Sequence, residues 1–300
     1  MSRWRDVIRI HRLEHPFPIH YLCHATLGAC YAADGVRQLL AGPVLVVVTA
    51  NLLSIIGGNP LNAAVDVGAD RHTKGKADIA DAVLRLGRAR AMSWAAAEMM
   101  ASLVCATAVA LWLGRPLVAV GTALSIGLCL LYNLEPARLK RRGFANPVAI
   151  GLTLGLLPNL VAYNAVRADL TAPAWLIFIG IAVLITARSL WWTVPDQHGD
   201  NTMGLTTPAV RHGAYRTVVV ACVMTATGLG LAGWGLWNRY GPAIATLGVA
   251  VSLPFLFGKL ILLRQLRGGR KPDSTKMRRR DLLSVTIADV FLVLLPLAVR

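Results

Sequence analysis

Residues 191–204 read WWTVPDQHGDNTMG, and this polar run guides the interpretation of the rest of the chain. It follows an apolar segment, about residues 172–192, that is long enough to cross a bilayer. Asp196 and Asp200 stand four residues apart, so on a helix their carboxylates lie on one face. Adjacent carboxylates repel each other unless a divalent cation lies between them and an anionic ligand. The spacing therefore favours a metal-bridged anion site at the end of a membrane span.

A second acidic array stands earlier in the chain, again after an apolar segment. Asn62, Asp66 and Asp70 recur at steps of four, which places their side chains on one helix face. Solvated helix ends in ordinary loops are the simpler explanation of one such array alone. Two arrays on the same side of a membrane instead favour a diphosphate site bridged by magnesium, which binds one or two carboxylates together with substrate phosphates.

The composition is typical of a polytopic membrane protein. Of the 300 residues, 55% are hydrophobic, and the mean hydropathy of +0.55 is too apolar for an ordinary soluble domain. The net charge is +16, and the basic residues stand in short connectors between apolar segments rather than on one soluble face. We therefore expect the lipid bilayer to be the partner of this surface, and no nucleic-acid binding.

Hydropathy predicts an all-α fold, a polytopic bundle of about nine transmembrane helices in one domain over residues 1–300. Residues 1–16 form a basic amphipathic lead that is expected to lie at the membrane interface. Residues 58–91 and 193–214 are expected to be cytoplasmic connectors that carry the two acidic arrays. The predicted spans cover about residues 17–34, 39–57, 92–113, 117–133, 146–164, 172–192, 215–237, 242–263 and 282–299.

The distribution of positive charge agrees with this number of spans. If the N-terminus is cytoplasmic, the connectors after the second, fourth, sixth and eighth spans are cytoplasmic too, and these connectors hold most of the Lys and Arg residues. The opposite connectors are short and nearly uncharged, as the positive-inside rule requires. The sequence therefore predicts an integral protein of the cell membrane whose two acidic arrays both face the cytoplasm.

Several basic residues near the arrays are candidates for binding a diphosphate. Arg138 and Lys140 follow the fourth span, and Lys74 follows the first array. Their cationic groups suit phosphate oxygens, but a role in membrane topology alone explains the same charges equally well. A Walker-type phosphate loop is excluded, because Gly75-Lys76 is followed by Ala77 and lacks the upstream glycine.

Polar side chains inside the predicted spans are further candidates, because such groups are costly in a bilayer and often functional. Asn159 lies in the fifth span, and Arg188 lies two turns before the second array. His20 and His24 stand at i and i+4 in the first span, a spacing that is compatible with a base, a metal ligand or acceptor orientation. Hydrogen-bonded helix packing is the preferred interpretation of this pair. Asp289 in the last span is an acid without an evident partner.

These motifs resemble those of the UbiA-type superfamily of intramembrane prenyltransferases. The first array matches its NxxxDxxxD motif and the second its DxxxD motif. Residues 195–213 contain PDxxGDxxxG followed by V-R-x-G, which is most similar to the homogentisate and related aromatic or quinone prenyltransferases. Residues 132–140 resemble the family's Y-x-x-x-P-x-R-L-K loop, which makes Tyr132 a candidate substrate-binding residue. Motif order extends the resemblance over essentially the whole chain.

The resemblance implies an enzyme with a central cavity that opens to the membrane. Such an enzyme uses Mg²⁺ to ionise an allylic polyprenyl diphosphate and transfers the prenyl group to a small aromatic or quinone-precursor acceptor. It also implies that Arg138 and Lys140 contact the diphosphate. By position, the resemblance implies that magnesium is bound by Asn62, Asp66, Asp70, Asp196 and Asp200. It also implies that the four aspartates of this set are the catalytic residues.

Two departures from the family pattern leave other functions open. Ala63 stands where an Asp often follows the motif's Asn, and residues 71–78 replace the usual stretch of arginine and proline. A terpene cyclase that uses the same site without an external acceptor is therefore the main alternative. A cation-coupled transporter is a weaker alternative, because its acids are expected near the bilayer midplane and no inverted repeat is evident here.

Overall fold

The computed structural model describes residues 3–71, 76–202, 204–270 and 274–299, and these residues are almost entirely helical. A three-residue 3₁₀ turn, Leu139–Arg141, and a π-helical segment, Gly151–Leu156, interrupt the α-helices. The helices are α1 (Arg3–Ile10), α2 (Phe17–Ala32), α3 (Val36–Leu39), α4 (Gly42–Asp70), α5 (Ala77–Leu86), α6 (Arg88–Leu113), α7 (Pro116–Asn133), α8 (Ala145–Ile150), α9 (Leu157–Val166), α10 (Ala172–Thr202), α11 (Pro208–His212), α12 (Ala214–Tyr240), α13 (Pro242–Arg267) and α14 (Ser274–Ala298).

The helices confirm an all-α integral membrane protein. Within the described residues, eight helices are long and apolar enough to cross a bilayer: α4, α6, α7, the continuous run Ala145–Val166, α10, α12, α13 and the Arg280–Ala298 part of α14. The first predicted span is α2, which has 16 residues and is about 24 Å long, less than the roughly 30 Å of a hydrocarbon core. It nevertheless packs inside the bundle, against α9 and α14, and completes a set of about nine helices.

Two long helices, α4 and α10, organise the bundle. α4 has 29 residues and packs mainly on α6, whereas α10 has 31 residues and packs mainly on α12. Each continues through an internal proline, Pro60 or Pro195. The predicted connectors at 58–91 and 193–214 are therefore largely helical, and both acidic arrays lie on the last turns of these long helices rather than in loops. A helix of about 45 Å is longer than the hydrocarbon core, so its last turns can carry charge.

Small residues allow the long helices to approach closely. A Cβ added at Gly180 of α10 would lie 2.6 Å from the backbone nitrogen of Ala232 in α12, and one at Gly28 of α2 would overlap the backbone of Asn159 in α9. Membrane helices associate through such backbone contacts because lipid gives no hydrophobic driving force between them. This packing fixes α10 and α2 against their neighbours, so the polar ends of the helices are held in place.

Candidate active site

Asp66 is the centre of a cationic cluster at the end of α4. Its Oδ2 atom lies 2.6 Å from Lys140 Nζ, and its Oδ1 atom accepts a hydrogen bond of 3.1 Å from Arg138 Nη2. The Nδ2 atom of Asn62, one turn earlier, donates to Asp66 Oδ2 over 3.2 Å. The first array and the basic residues that the sequence predicts to bind phosphate are thus in direct contact.

A short loop after α7 brings the two cations to Asp66. Arg138 has a φ of 33°, in the left-handed region that L residues rarely adopt, and the 3₁₀ turn Leu139–Arg141 follows it. The turn directs Lys140 inward, where only 9% of its surface is exposed. Burial lowers the pKa of Lys140, and the charge of Asp66 and its hydrogen bond oppose that effect. A cation that has lost much of its hydration is well suited to binding a phosphate oxygen.

Asn133 connects the two sides of this cluster, and the sequence analysis missed it. Its side chain is 2% exposed, and its Oδ1 atom accepts from Asn62 Nδ2 over 2.9 Å and from Lys140 Nζ over 3.5 Å. Its Nδ2 atom donates to the carbonyl of Cys129 over 2.9 Å. Asn133 is uncharged and ends a predicted span, so the only sequence signal was its place beside Tyr132 in the family's loop.

The N-terminal lead also reaches the first array. Arg12 Nη2 donates to Asn62 Oδ1 over 3.4 Å, and Asn59 Nδ2, on the preceding turn of α4, donates to the carbonyl of His11 over 3.0 Å. Asp6 anchors the lead through a bidentate ion pair with Arg85 of α5, at 2.6 and 3.0 Å. The residues predicted as an interfacial lead therefore support the end of α4.

The second array is supported by hydroxyl and backbone groups. Thr207 Oγ1 donates to Asp200 Oδ2 over 3.0 Å, and the backbone N–H of Leu205 donates to the carbonyl of Asp200 over 2.9 Å. Burial raises the pKa of Asp200, and the negative charge of Asp196 raises it further, while the Thr207 hydrogen bond and the charge of Lys76 lower it. A nearby cation would therefore stabilise the ionised form of Asp200.

The two arrays are brought to one end of the bundle. Residues Arg142 and Thr206 form an isolated β-bridge, in which Gly143 N–H donates to the Thr206 carbonyl over 3.0 Å. The Thr206 hydroxyl also donates to the carbonyl of Arg141. The loop that holds the cations of the first array is thus bonded to the segment that supports the second.

The charge of Lys76 acts on acids of both arrays. Lys76 Nζ lies 3.8 Å from Asp70 Oδ1, and its charge also acts on Asp200. The hydroxyl of Tyr132 donates to Asn146 Oδ1 over 3.4 Å. Asp70 and Asp200 are thus both influenced by the charge of Lys76, although more than a hundred residues separate them in the chain.

The remaining candidate residues have other contacts or lie outside the description. Arg188 Nε donates to Asp281 Oδ2 of α14 over 2.8 Å, and its guanidinium lies 5.7 Å from the Trp192 ring centre. Asn159 is fully buried and donates to the carbonyl of Gly155 in its own helix, as helix-packing residues do. Substrate binding by Arg188 and Asn159 stays a prediction. Lys74 lies outside the described residues.

The membrane histidines form a hydrogen-bonded network with the last helix. His20 Nδ1 lies 2.7 Å from Asp289 Oδ2, and His20 Nε2 lies 3.2 Å from the Thr286 hydroxyl. His24 Nε2 lies 3.9 Å from the same oxygen of Asp289. These contacts give Asp289 its partner and support the interpretation of the pair as hydrogen-bonded packing residues between α2 and α14.

Trp191 and Trp192, at the start of the polar run, lie in different environments. Trp191 is 6% exposed and belongs to a buried apolar cluster with Leu190 and Val194, while Trp192 donates from Nε1 to Asp281 over 2.9 Å. The packing of α10 on α12, together with Leu262 of α13, leaves the Trp191 indole inside the protein.

The chain is similar to known proteins both in sequence and in fold. Residues 21–279 match the model of the UbiA prenyltransferase family. A 4-hydroxybenzoate octaprenyltransferase of Pseudomonas aeruginosa is 27% identical over 252 residues, which cover 80% of this chain and 79% of that protein. The solved structure of a UbiA homolog from Archaeoglobus fulgidus bound to DMAPP and Mg²⁺ superposes with a TM-score of 0.70 at 15% identity, over 98% of this chain and 100% of that one. A UbiA homolog from Aeropyrum pernix K1 gives a TM-score of 0.68 at 19% identity, over 91% and 96% of the two chains.

The helical bundle and the acidic end shared by α4 and α10 define an intramembrane enzyme. The chain belongs to the UbiA prenyltransferase family, whose model matches most of its length. It is therefore a prenyltransferase.

Proposed function

We propose that the protein ionises an allylic polyprenyl diphosphate and transfers the prenyl group to an aromatic acceptor, with Mg²⁺ bound between the two acidic arrays. The observation that carries this proposal is that the two arrays lie at one end of the bundle and that cations act on acids of both. Asp66 contacts Arg138 and Lys140 directly, and Lys76 acts on both Asp70 and Asp200. A site with acids for metal and cations for phosphate has the two kinds of group that a metal–diphosphate complex requires.

The donor set of this end of the bundle fits magnesium. The carboxylates of Asp66, Asp70, Asp196 and Asp200 and the amide oxygen of Asn62 are hard oxygen donors, which Mg²⁺ prefers. Within the described part of the chain, no three His, Cys, Asp or Glu side chains are close enough to hold a metal by themselves. Mg²⁺ is commonly completed by substrate phosphates and water, so the separation of the two arrays is compatible with metal ions held jointly by protein and diphosphate. When bound, Mg²⁺ stabilises the charge of the leaving diphosphate.

The protein's own residues divide the remaining work. Arg138 and Lys140 bind phosphate oxygens, and they are already oriented by Asp66, Asn133 and the 3₁₀ turn. As the carbon–oxygen bond of the allylic diphosphate breaks, negative charge accumulates on the diphosphate, and preoriented cations stabilise that charge without reorganisation. The apolar bundle around α4 and α10 excludes water from the allylic cation, which then alkylates the acceptor ring. The substituted ring carbon loses its proton to the released diphosphate or to solvent, which restores the aromatic ring.

An aromatic acceptor is supported by the relatives. Several of them are named 4-hydroxybenzoate octaprenyltransferase and match 70% or more of this chain. Two related solved structures are described as bound to DMAPP or GPP with Mg²⁺. We therefore propose 4-hydroxybenzoate as the first acceptor to test, and a prenyl diphosphate with Mg²⁺ as the donor. With the positive-inside rule, the N-terminus and both arrays are proposed to face the cytoplasm.

The test is an assay of the purified protein in nanodiscs with prenyl diphosphates of several lengths, with and without 4-hydroxybenzoate. Released diphosphate and prenylated product are measured separately, the second by mass spectrometry. We expect product only when donor, acceptor and Mg²⁺ are all present. We also expect EDTA to abolish both readouts, and an excess of Mg²⁺ to restore them.

Each other outcome has a definite meaning. Full turnover in chelator would overturn the metal part of the proposal. Equal amounts of a cyclic hydrocarbon or alcohol with and without acceptor would identify a terpene cyclase instead. Release of diphosphate with an aromatic acceptor other than 4-hydroxybenzoate would keep the reaction and change only the acceptor.

A further inference from the structure

A cavity of about 280 Å³ lies behind the second acidic array, between α10, α13 and α14. Trp191 of α10, Lys259 of α13 and Asp281 of α14 line it, and Gln265 and Arg280 lie at its basic end. Among the described residues that line the cavity, none belongs to either acidic array. The cavity is therefore distinct from the proposed diphosphate site.

The groups around this cavity include hydrogen-bond donors with too few acceptors. Lys259 is only 2% exposed, and its ammonium donates one hydrogen bond, of 3.2 Å, to the Phe255 carbonyl. It also lies 5.6 Å from the ring centre of Trp191. The indole N–H of Trp191 is buried and has no hydrogen-bond partner. A buried ammonium with three donors and an unpaired indole N–H both require an acceptor to offset their loss of water.

The acid in this region is already occupied. Asp281 is the only acidic residue among the described residues that line the cavity, and its Oδ2 atom accepts from Arg188 Nε over 2.8 Å and from Trp192 Nε1 over 2.9 Å. Against this single negative charge stand Arg188, Lys259 and Arg280. Because Arg188 is paired with Asp281, the excess positive charge is that of the buried Lys259 and the exposed Arg280, and an anion is the ligand chemistry that would neutralise it.

The surroundings identify an amphiphile rather than a free anion. Ile261 lines the cavity and is 51% exposed, and Leu283 and Ile287 on α14 are 65% and 55% exposed, so an apolar surface that faces lipid lies next to the cavity. Gln265 and Arg280 line the other end, and by sequence alone residues 264–280 contain eight Lys or Arg residues and one Asp. Basic segments beside a membrane span attract anionic lipids.

We propose that this cavity binds the phosphate head group of an anionic phospholipid. The phosphate oxygens accept hydrogen bonds from Lys259 and from the Trp191 indole, Arg280 lies at the entrance, and the acyl chains lie along the exposed apolar faces of α13 and α14. The volume suits a head group, since pockets for drug-sized ligands begin at about 300 Å³. Arg188 and Trp192 of α10 bind Asp281 of α14, which also lines the cavity. The bound lipid would therefore lie beside the contact that joins α14 to the helix with the second array.

The test uses delipidated protein in a neutral detergent. Native mass spectrometry counts bound lipid, and thermal unfolding is followed during titration with dioctanoyl phosphatidylglycerol, dioctanoyl phosphatidylcholine, inorganic phosphate or diphosphate. We expect phosphatidylglycerol to remain bound and to raise the Tm, and the other three to have little effect at the same concentration. Lys259→Met is expected to weaken phosphatidylglycerol binding about tenfold or more, as loss of a buried charge-assisted hydrogen bond does. Trp191→Phe keeps the ring and loses the N–H, so a smaller loss of about threefold is expected.

The matched control is Arg216→Gln, which removes one positive charge at an exposed position on α12, outside both the cavity lining and the basic segment. It is expected to bind phosphatidylglycerol like the native protein. Lys259→Met should still fold, because it replaces a buried charge by an apolar side chain of similar length. Equal binding of phosphatidylglycerol to Lys259→Met, or equal binding of phosphatidylcholine to the native protein, would overturn the proposal. Stabilisation by inorganic phosphate or diphosphate that depends on Lys259, without an effect of lipid, would show a site for a soluble anion and would overturn the lipid source.

Discussion

The two acidic arrays have similar spacing and opposite environments. On α4, Asp66 is bound by Arg138 and Lys140 at 3.1 and 2.6 Å, so its charge is largely neutralised by protein. On α10, Asp200 is bound by the Thr207 hydroxyl and lies beside Asp196, and burial raises its pKa. Asp66 thus has two cations in direct contact, whereas the charge of Asp200 is opposed by burial and by Asp196.

This difference indicates a division of labour within one site. Cations that are hydrogen-bonded to a carboxylate are preoriented, so they can transfer to phosphate oxygens with little loss of side-chain entropy. Carboxylates whose charge is opposed by burial gain most when a divalent ion binds. We therefore infer that Asp66 and its cations mainly position phosphate, and that the α10 array, together with the buried Asp70, mainly increases metal affinity.

The largest expected effect is the loss of turnover when Asp66 of the first array or Asp196 of the second is removed. Asp66→Ala and Asp196→Ala are each expected to lower diphosphate release by at least about a thousandfold, since stabilising contacts to developing charge contribute that much. Asp66→Ala should also lower the Tm, because it leaves Lys140 buried without its anion. Asp81→Ala, which removes an exposed acid on the neighbouring helix α5, is the control and should keep most of the activity. Near-native turnover in either array variant would contradict the shared site.

A smaller effect is expected when the phosphate-binding side alone is weakened. Lys140→Met is expected to raise KM for the prenyl diphosphate about ten- to a hundredfold, because a buried charge-assisted contact to phosphate is lost. The concentration of Mg²⁺ for half-maximal activity should change little in comparison. Arg141→Met is the matched control, since Arg141 belongs to the same 3₁₀ turn but its side chain is 45% exposed and pairs with Glu135. If Lys140→Met changes the Mg²⁺ requirement more than KM, the division of labour between the arrays is wrong.

The second array is expected to respond to pH through Thr207. The Thr207 hydroxyl stabilises the ionised form of Asp200 and so lowers its pKa. In Thr207→Val the pKa of Asp200 should rise, and the acidic limb of the pH–rate profile should move to higher pH. Activity should fall roughly threefold at the acidic edge and little at pH 8. Thr207→Ser retains the hydroxyl and should restore the native profile. An unchanged acidic limb in Thr207→Val would show that Asp200 does not determine it.

The smallest effect is expected at the lead that supports only the first array. The hydrogen bond from Arg85 lowers the pKa of Asp6 below its usual 3.8. The resulting stability is present above pH 3.8 and is lost as the pH falls through the lower, folded-state pKa. Asp6→Asn should therefore lower the Tm at pH 7 slightly and flatten its decrease at acidic pH, while turnover stays within about twofold. A Tm that depends on acidic pH as steeply as in the native protein would contradict this role of the ion pair.

Much of the architecture was predictable from the sequence because it depends on local patterns. Apolar runs fixed the helical class, and steps of four placed Asn62, Asp66 and Asp70 on one face. The predicted spans end at about residues 57 and 192, whereas α4 and α10 continue through Pro60 and Pro195, because a helix can continue through proline where its neighbours satisfy the freed backbone groups. Contacts between distant segments were not predictable. Asn133, the lead residue Arg12 and the pairing of Arg188 with Asp281 have no periodic signal, since each depends on the packing of separate helices.

The β-bridge between Arg142 and Thr206 is made by main-chain atoms. Alanine at position 142 would leave every one of those atoms in place, so a conventional scan of side chains would pass over this bond. Other residues at position 142 can likewise keep this contact, as long as the backbone conformation there is unchanged and residue 143 retains its amide hydrogen. Relatives that share few residues in this stretch can therefore keep the same main-chain bridge.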